Sequence, residues 1–300
     1  MAQFDGFLNL LKCPGMTSHD AVARIRRIFG TRAVGHAGTL DPAAAGVLPL
    51  AIGKATRLLE YLVSSSKTYI GEATFGVETD SLDQCGSVLK MESPILERDA
   101  VEAEMTKMVG PQMQVPPAFS AVKHQGRPLY EYARQGQFIE KPARPIEIFE
   151  WRMLSFTPGL QPRCRFLLHC SKGTYVRALV RDLAYRLGTV STLTFLLRAG
   201  VGELGLESSY TLEELTTMRD DGTLADCLLP PQVAVSAMPA VTLSDQEAVR
   251  FVQGQTVSAA GEQMGLCAVY QSHRLLGIGK QSGGLLRPHK VLTAREDVVR

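Results

Sequence analysis

Apolar residues recur at helical spacing in two long segments of the chain. Over residues 18–29 they return every three or four positions, Thr17 can cap the start, and Gly30 can end the helix. The apolar stripe is clearest over residues 174–187, and Gly188 supplies a stop. Shorter helices are predicted at residues 99–109, 129–135 and 212–218.

Strand-like segments lie between these helices. They cover residues 47–52, 67–75, 146–156 and 163–170, and the last two partly alternate apolar and polar positions. Residues 34–49 are rich in Gly and Pro without a period, which predicts a structured loop that runs into the first of these strands. Functional side chains are often carried on such loops.

The pattern changes after the run Leu229-Pro230-Pro231, which breaks the helical spacing. From residue 241 onwards, short apolar runs alternate with Gly-rich turns, as in a small β-barrel or sheet. We therefore predict an α+β protein with two domains, a main domain at residues 1–232 and a smaller β domain at residues 233–300.

Composition limits the class of protein. The chain has 300 residues and is 45% hydrophobic, enough for a full core, and no segment approaches the ~20 apolar residues that span a bilayer. No membrane association and a cytoplasmic location are predicted. The cysteines form no C-x-x-C pair and the histidines lack metal-ligand spacing, so no metal site is predicted. A net charge of +2 leaves the partner undecided.

Asp41 is the first candidate for chemistry. Gly35, Gly38 and Gly46 allow the backbone to bend tightly around it, and Pro42 stiffens the next step. A carboxylate held in a tight frame suits a nucleophile, although an aspartate that only caps a turn would have similar neighbours.

The segment Gly35-His36-Ala37-Gly38-Thr39-Leu40-Asp41-Pro42 resembles the signature of bacterial tRNA pseudouridine-55 synthases. Further blocks agree in the family's order and extend the resemblance over about residues 7–202; they lie at residues 12–18, 67–69, 79–86, 115–136, 171–187 and 196–198. The chain departs from the family pattern at Cys13, Ala45 and Ala199, none of which is a candidate catalytic residue.

The resemblance implies a pseudouridine-synthase fold, with a mixed, largely antiparallel sheet flanked by helices and a C-terminal PUA-like RNA-binding domain. It implies an isomerase that flips uridine 55 out of the TΨC loop of tRNA and converts it to pseudouridine. The reaction has no net redox change and no group donor, so no cofactor is expected. The expected partner is tRNA, and the protein is expected to be a monomer.

The resemblance also implies roles for individual residues. Asp41 matches the catalytic aspartate, Tyr69 the tyrosine that stacks on the target base, and Arg177 the arginine that pairs with the aspartate. Three more residues match substrate-binding positions: His36 at the flipped-out loop, Leu196 in the uracil pocket, and Lys12 near the active-site loop.

Two other functions remain open at this point. One is a non-catalytic tRNA-binding or tRNA-folding module on the same frame, against which the intact catalytic set argues. The other is a glycoside hydrolase, which needs two acting carboxylates and could use Asp80 or Asp83 beside Asp41.

Overall fold

The computed structural model describes residues 4–63, 65–120, 122–133, 135–137, 139, 141–259, 264–293, 296 and 298. The α-helices in these ranges are α1 Ser18–Phe29, α2 Leu59–Val63, α3 Arg98–Lys107, α4 Leu129–Ala133, α5 Val176–Arg186, α6 Leu212–Asp220 and α7 Asp245–Val252. Short 3-10 helices cover Gly53–Leu58, Leu206–Ser208, Leu224–Cys227 and Pro231–Val235.

The strands follow the same chain order. They are β1 Gly6–Lys12, β2 Val34–His36, β3 Ala45–Ile52, β4 Lys67–Phe75, β5 Val77–Thr79, β6 Val88–Met91, β7 Gly110–Gln114, β8 Lys123–His124, β9 Arg127–Pro128, β10 Arg144–Thr157, β11 Arg163–Cys170, β12 Ser191–Val201, β13 Leu204–Gly205, β14 Ala240–Thr242, β15 Val257–Ser258, β16 Gly265–Gln271, β17 Arg274–Ser282 and β18 Leu285–Val291.

A mixed sheet of nine strands organises the larger part of the fold. Its main order is β1-β3-β12-β4-β11-β10-β7, with β2 beside β3 and β13 beside β12. Strands β3 and β12 pair in parallel, whereas the other neighbours in this sheet are antiparallel. This is the mixed, largely antiparallel sheet that was predicted, and the α+β class is confirmed.

Local sequence explains where the helices begin and end. In α1, Thr17 and Asp20 form a reciprocal capping box, and Gly30 ends the helix in the left-handed conformation at φ 62°. In α5, Tyr175 is still extended, so the helix begins at Val176 rather than at the predicted residue 174. Arg177 consequently lies in the first turn of α5, as predicted.

Several elements were absent from the sequence prediction, among them helix α2 and strands β5 to β9. Strands β1 and β12 and helix α7 lie outside the predicted segments, and the predicted loop at residues 34–49 contains β2 and the first part of β3. Strand β1 is an almost uniformly buried run, so it lacks the alternation by which a half-buried strand is recognised. The helix predicted at residues 129–135 is shorter in the structure: α4 ends at Ala133, Gln135 lies in a turn, and residue 134 lies outside the described residues.

The C-terminal β domain is a sheet of five strands in the order β14-β16-β17-β18-β15. Helix α7 covers one face of this sheet. Its Phe251 packs with Val269 and Leu286 in an apolar cluster that belongs to this domain. The opposite side packs on the larger sheet through a shared apolar cluster that includes Ile278 and Phe7. This agrees with the predicted small β domain.

No helix in the described ranges is long and apolar enough to cross a membrane.

Candidate active site

The loop between β2 and β3 holds Asp41 in a restrained backbone. Gly38 and Gly46 have φ values of 103° and 116°, and a Cβ on Gly46 would lie 2.2 Å from the carbonyl oxygen of Arg198. The Ser18 hydroxyl accepts a hydrogen bond from the Leu40 amide at 2.9 Å and lies 3.0 Å from the Leu40 carbonyl. The loop is thus fixed on the side that precedes Asp41.

Arg177 binds Asp41 through two parallel hydrogen bonds. Its Nε donates to Asp41 Oδ2 at 2.9 Å, and its Nη2 donates to Oδ1 at 3.1 Å. The remaining donors reach the carbonyls of Ser81 and Phe119 at 2.8 and 2.9 Å. The Arg177 side chain is only 6% exposed and that of Asp41 is 34% exposed, so the guanidinium is fixed and the carboxylate stays accessible.

A second carboxylate lies near the same guanidinium. Asp83 Oδ2 is 3.8 Å from Arg177 Nε, beyond hydrogen-bond range. Asp83 Oδ1 instead accepts hydrogen bonds from the Ser81 hydroxyl and the Cys85 amide at 2.7 and 3.0 Å. Asp80 closes the neighbouring turn by accepting from the Ser87 amide at 2.9 Å. Only Asp41 therefore combines the bidentate contact with an accessible carboxylate among these three.

A cleft of about 480 Å³ opens beside Asp41. Residues from separate parts of the chain line it; they are Gly38, Thr39, Leu40, Asp41, Val63, Lys67, Tyr69, Ser120, Ser171, Lys172, Gly173, Thr174, Tyr175, Val176, Arg177, Leu196 and Arg198. The volume lies within the range of sites for small ligands, so a nucleoside fits its scale. Asp41, Tyr69, Arg177 and Leu196, which were predicted separately, come together here.

Tyr69 lies on β4, directly opposite Arg198 of β12. Its side chain is buried in the wall of the cleft, and this burial raises the pKa of its hydroxyl. The hydroxyl is therefore protonated near neutral pH. The ring can offer a flat apolar surface to a base that enters the cleft.

His36 does not line this cleft. It ends β2 and packs edge-to-face on His19, with ring centroids 5.6 Å apart. Burial, His19 and Arg198 lower the pKa of His36, so the neutral imidazole is favoured. Its Nδ1 atom is buried and has no hydrogen-bond partner among the described residues. These contacts leave His36 next to the Asp41 loop, outside the cleft.

Lys12 has no exposed surface. Its ammonium donates to the carbonyls of Cys13 and Met16 at 2.9 Å each and to that of Pro42 at 3.4 Å. It therefore binds the backbone just after Asp41. This position favours a role in holding the loop. It does not favour the direct substrate contact that the resemblance implies. Burial lowers the pKa of Lys12 to about 8.

Replacing Lys12 should change how stability depends on pH. Below pH 8 the folded chain carries a buried ammonium, whereas unfolding raises its pKa back towards 10.5. Between these values the unfolded chain binds more protons, so Lys12 makes the free energy of unfolding rise with pH, by at most about 1.4 kcal/mol per pH unit. The free energy of unfolding is measured with a denaturant for the wild type and for Lys12→Met. Between pH 8 and 10.5, this free energy should rise with pH more steeply in the wild type than in the variant. A constant difference would contradict the prediction.

Arg198 and Lys67 are buried cations at the cleft, and neither was predicted to belong to the site. Arg198 donates to the carbonyls of Val47, Thr39 and Gly38 at 2.7, 3.3 and 3.3 Å. Lys67 donates to the carbonyls of Val63 and Ser65 at 2.7 and 2.6 Å, and burial lowers its pKa to about 8. A basic residue within an apolar strand was the available signal, but it does not reveal what the side chain contacts.

Ser120 and Tyr175 also line the cleft, although neither was predicted to belong to the site. The backbone of Tyr175 is held on both sides by Gln114, whose side chain accepts from its amide at 2.8 Å and donates to its carbonyl at 3.1 Å.

Among the described residues, no group of three or more His, Cys, Asp or Glu side chains could hold a metal ion.

Two family models match the chain. The model described as "TruB family pseudouridylate synthase (N terminal domain)" matches residues 26–176, and the one described as "Pseudouridine synthase II TruB, C-terminal" matches residues 239–292. Among the curated relatives, "tRNA pseudouridine synthase B" of Streptococcus agalactiae is 42% identical, over 96% of this chain and 99% of its own length. The protein of the same name from Symbiobacterium thermophilum is 45% identical, over 84% of this chain and 83% of its own.

Solved structures share the fold. An H/ACA RNP bound to a substrate RNA containing 2′-deoxyuridine superposes with a TM-score of 0.76 at 23% identity, over 97% of this chain and 86% of that one. A Cbf5-Nop10-Gar1 complex gives a TM-score of 0.76 at 25% identity, over 99% and 87%. The family is identified by the two matching models and by the identity of about 42% to a curated relative over nearly the full length of both chains. The chain belongs to the TruB family of pseudouridylate synthases.

Proposed function

We propose that this protein isomerises uridine to pseudouridine in tRNA, with uridine 55 of the TΨC loop as its target and Asp41 as the nucleophile. The reaction breaks the N1–C1′ glycosidic bond, turns the uracil and joins C5 to C1′; C5 loses its proton to solvent, and N1, freed from the sugar, gains one. Electrons and atoms balance without an oxidant or a group donor. The chemistry therefore requires no cofactor.

The bidentate contact between Arg177 and Asp41 at the cleft carries this proposal. A guanidinium that donates one hydrogen bond to each carboxylate oxygen fixes the position and the plane of the carboxylate. Asp41 can attack either C1′ of the sugar or C6 of the ring, and both routes use the same ionised oxygen. Because Arg177 is held by two further carbonyls, the carboxylate keeps one orientation.

The cleft wall suits a base extracted from a folded loop. Flipping a base out of its stack costs a few kcal/mol, and stacking on an aromatic ring returns about 1–3 kcal/mol. We assign the stacking surface to Tyr69, and an apolar contact with the uracil to Leu196. His36, outside the cleft, is assigned to the RNA loop from which the base is removed.

The relatives' names support tRNA as the substrate, since those proteins are called tRNA pseudouridine synthase B. The related RNP structure contains a substrate RNA. Lys172 is exposed at the cleft and could contact a phosphate. The non-catalytic alternative does not explain why an accessible carboxylate is held so rigidly. The hydrolase alternative is less well supported, because Asp80 and Asp83 each accept hydrogen bonds within their own turn and neither lines the cleft beside Asp41.

We further propose that residues 1–232 form the catalytic domain and residues 233–300 a PUA-like RNA-binding domain. The five-stranded sheet begins at Ala240, and the C-terminal family model starts at residue 239. The shared apolar cluster indicates that the two domains fold against each other. A monomeric state and a cytoplasmic location stay predictions.

Tritium release tests the proposed function. Unmodified tRNA transcribed with uridine tritiated at C5 should lose about one tritium per molecule when incubated with the wild-type protein, because one C5 proton leaves for each isomerisation. A matched transcript with cytidine at position 55 should lose none. Absence of release from the first transcript would contradict the activity. Equal release from both would contradict only the target position.

A further inference from the structure

Arg198 is the largest side chain that is fully buried in the described part of the chain, with 1% of its surface exposed. A buried charge is costly unless its hydrogen bonds are satisfied. Here the acceptors are backbone carbonyls: Val47 of β3, and Gly38 and Thr39 of the Asp41 loop. One guanidinium thus spans both ends of the loop that carries the nucleophile.

The parallel pairing of β12 with β3 brings Arg198 to this position. Arg198 pairs with Gly46 and Leu197 pairs with Ala45. The absence of a Cβ on Gly46 permits the close approach, because a Cβ there would lie 2.2 Å from the Arg198 carbonyl oxygen. The Arg198 backbone and side chain therefore both contact the segment that holds Asp41.

Arg198 also faces Tyr69, its partner in the antiparallel pairing of β12 with β4. The two side chains are cross-strand neighbours at the cleft, and the nearby Arg198 guanidinium lowers the pKa of the Tyr69 hydroxyl. An arginine carries only donors, so in a hydrogen bond between these two side chains the phenolic oxygen is the acceptor. The proton of the Tyr69 hydroxyl is then left free to bond elsewhere.

Resting on the proposed function, we infer that Arg198 is a positioning residue that couples the two sides of this active site. It holds the Asp41 loop by its carbonyls and orients the Tyr69 hydroxyl by donating to its oxygen. Lysine could not do the same, because a single ammonium lacks the planar fork that reaches several acceptors at once.

The charges around Tyr69 agree with this role. Burial raises the pKa of the Tyr69 hydroxyl, and the Cys170 thiol and the Asp41 carboxylate act in the same direction. Arg198 acts in the opposite direction through its positive charge. Arg198 is therefore the neighbour that makes the buried oxygen more able to carry negative charge during proton transfer.

Single-turnover tritium release with Arg198→Met tests the inference. We expect the rate constant to fall by about 100-fold, the size of effect that an ångström of misplacement at a reacting group produces. Affinity for the unmodified tRNA, measured by filter binding, should stay within about threefold, because Arg198 is buried. Arg165→Met is the matched control: this arginine on β11 is exposed and bonds Glu72, so its rate should equal that of the wild type.

A double-mutant cycle with Tyr69→Phe separates positioning from a general structural role. If Arg198 orients the hydroxyl, Arg198→Met should cost at least about fivefold less in the Tyr69→Phe background than in the wild type. Should Arg198→Met fail to fold, as judged by circular dichroism and thermal unfolding, Arg198→Lys takes its place in the cycle, with an expected loss of about tenfold.

Three results would overturn the inference. They are a wild-type rate in the variant that folds, a loss confined to tRNA affinity, or strict additivity with Tyr69→Phe. Each leaves the proposed function intact, provided that the wild type releases tritium. If the wild type releases none, the proposed function fails first and takes the role of Arg198 with it.

Discussion

Asp41→Asn is expected to abolish tritium release while tRNA binding is retained. Asparagine has the shape of aspartate but is not a nucleophile, so the rate constant should fall by at least about 10⁴-fold, as when a member of a covalent catalytic set is removed. In the wild type, each Asp41 oxygen accepts one hydrogen bond from Arg177. In the variant, the amide oxygen can still accept one of these bonds, whereas the NH₂ group faces the other Arg177 donor and cannot accept from it. Single-turnover assays and filter binding give both quantities.

Asp80→Asn is the matched control for this experiment. The Asp80 oxygen only accepts from the Ser87 amide, and asparagine can do the same, so a wild-type rate is expected. A large loss in both variants would favour a two-carboxylate mechanism over a single nucleophile. Release by Asp41→Asn at the wild-type rate would refute the assignment of Asp41.

Arg177→Met should give the second largest loss of activity. Methionine removes both hydrogen bonds to Asp41 and leaves the carbonyls of Ser81 and Phe119 without their donor. We expect turnover to fall by about 10²–10³-fold, the cost of removing one preorganised electrostatic contact. Because the Asp41 carboxylate stays accessible to water, the loss of stability should be smaller than the ~3–5 kcal/mol expected for a fully buried ion pair, and denaturant unfolding can measure it.

Two further variants at α5 make this result interpretable. Arg181→Met, one turn later on the same helix, removes an arginine that bonds to Asp182 and Val115, and it should turn over as the wild type does. Arg177→Lys keeps the charge but not the fork, so its activity should lie between those of the wild type and Arg177→Met. Turnover of Arg177→Met within about threefold of the wild type would show that the pairing has no catalytic role.

Local patterns predicted much of the fold. Helix α1 follows from its period, from the cap at Thr17 and from Gly30, because each of these acts within a few residues. Strand β12 could not be found in this way. Its apolar and polar residues follow no strict period, since β12 lies in the middle of a sheet and is buried unevenly on its two faces.

The site was predictable through family resemblance, which named Asp41, Tyr69, Arg177 and Leu196; the structure has all four at one cleft, and their roles stay predictions. The role of Arg198 could not be predicted from the residues next to it in the sequence. A charged residue in a strand normally lies at the surface, and nothing within β12 reveals its acceptors. Those acceptors come from residues about 150 positions earlier in the chain.

Strand β12 lies between β3 and β4, which are neighbours along the chain. During synthesis, both strands emerge long before β12, and each then presents an unpaired edge that could join other chains. Strand β12 can pair with β3 and β4 only after residue 201 has left the ribosome. Contacts of such high sequence separation fold slowly, so the growing chain depends on this late insertion to protect its central strands and to complete its cleft.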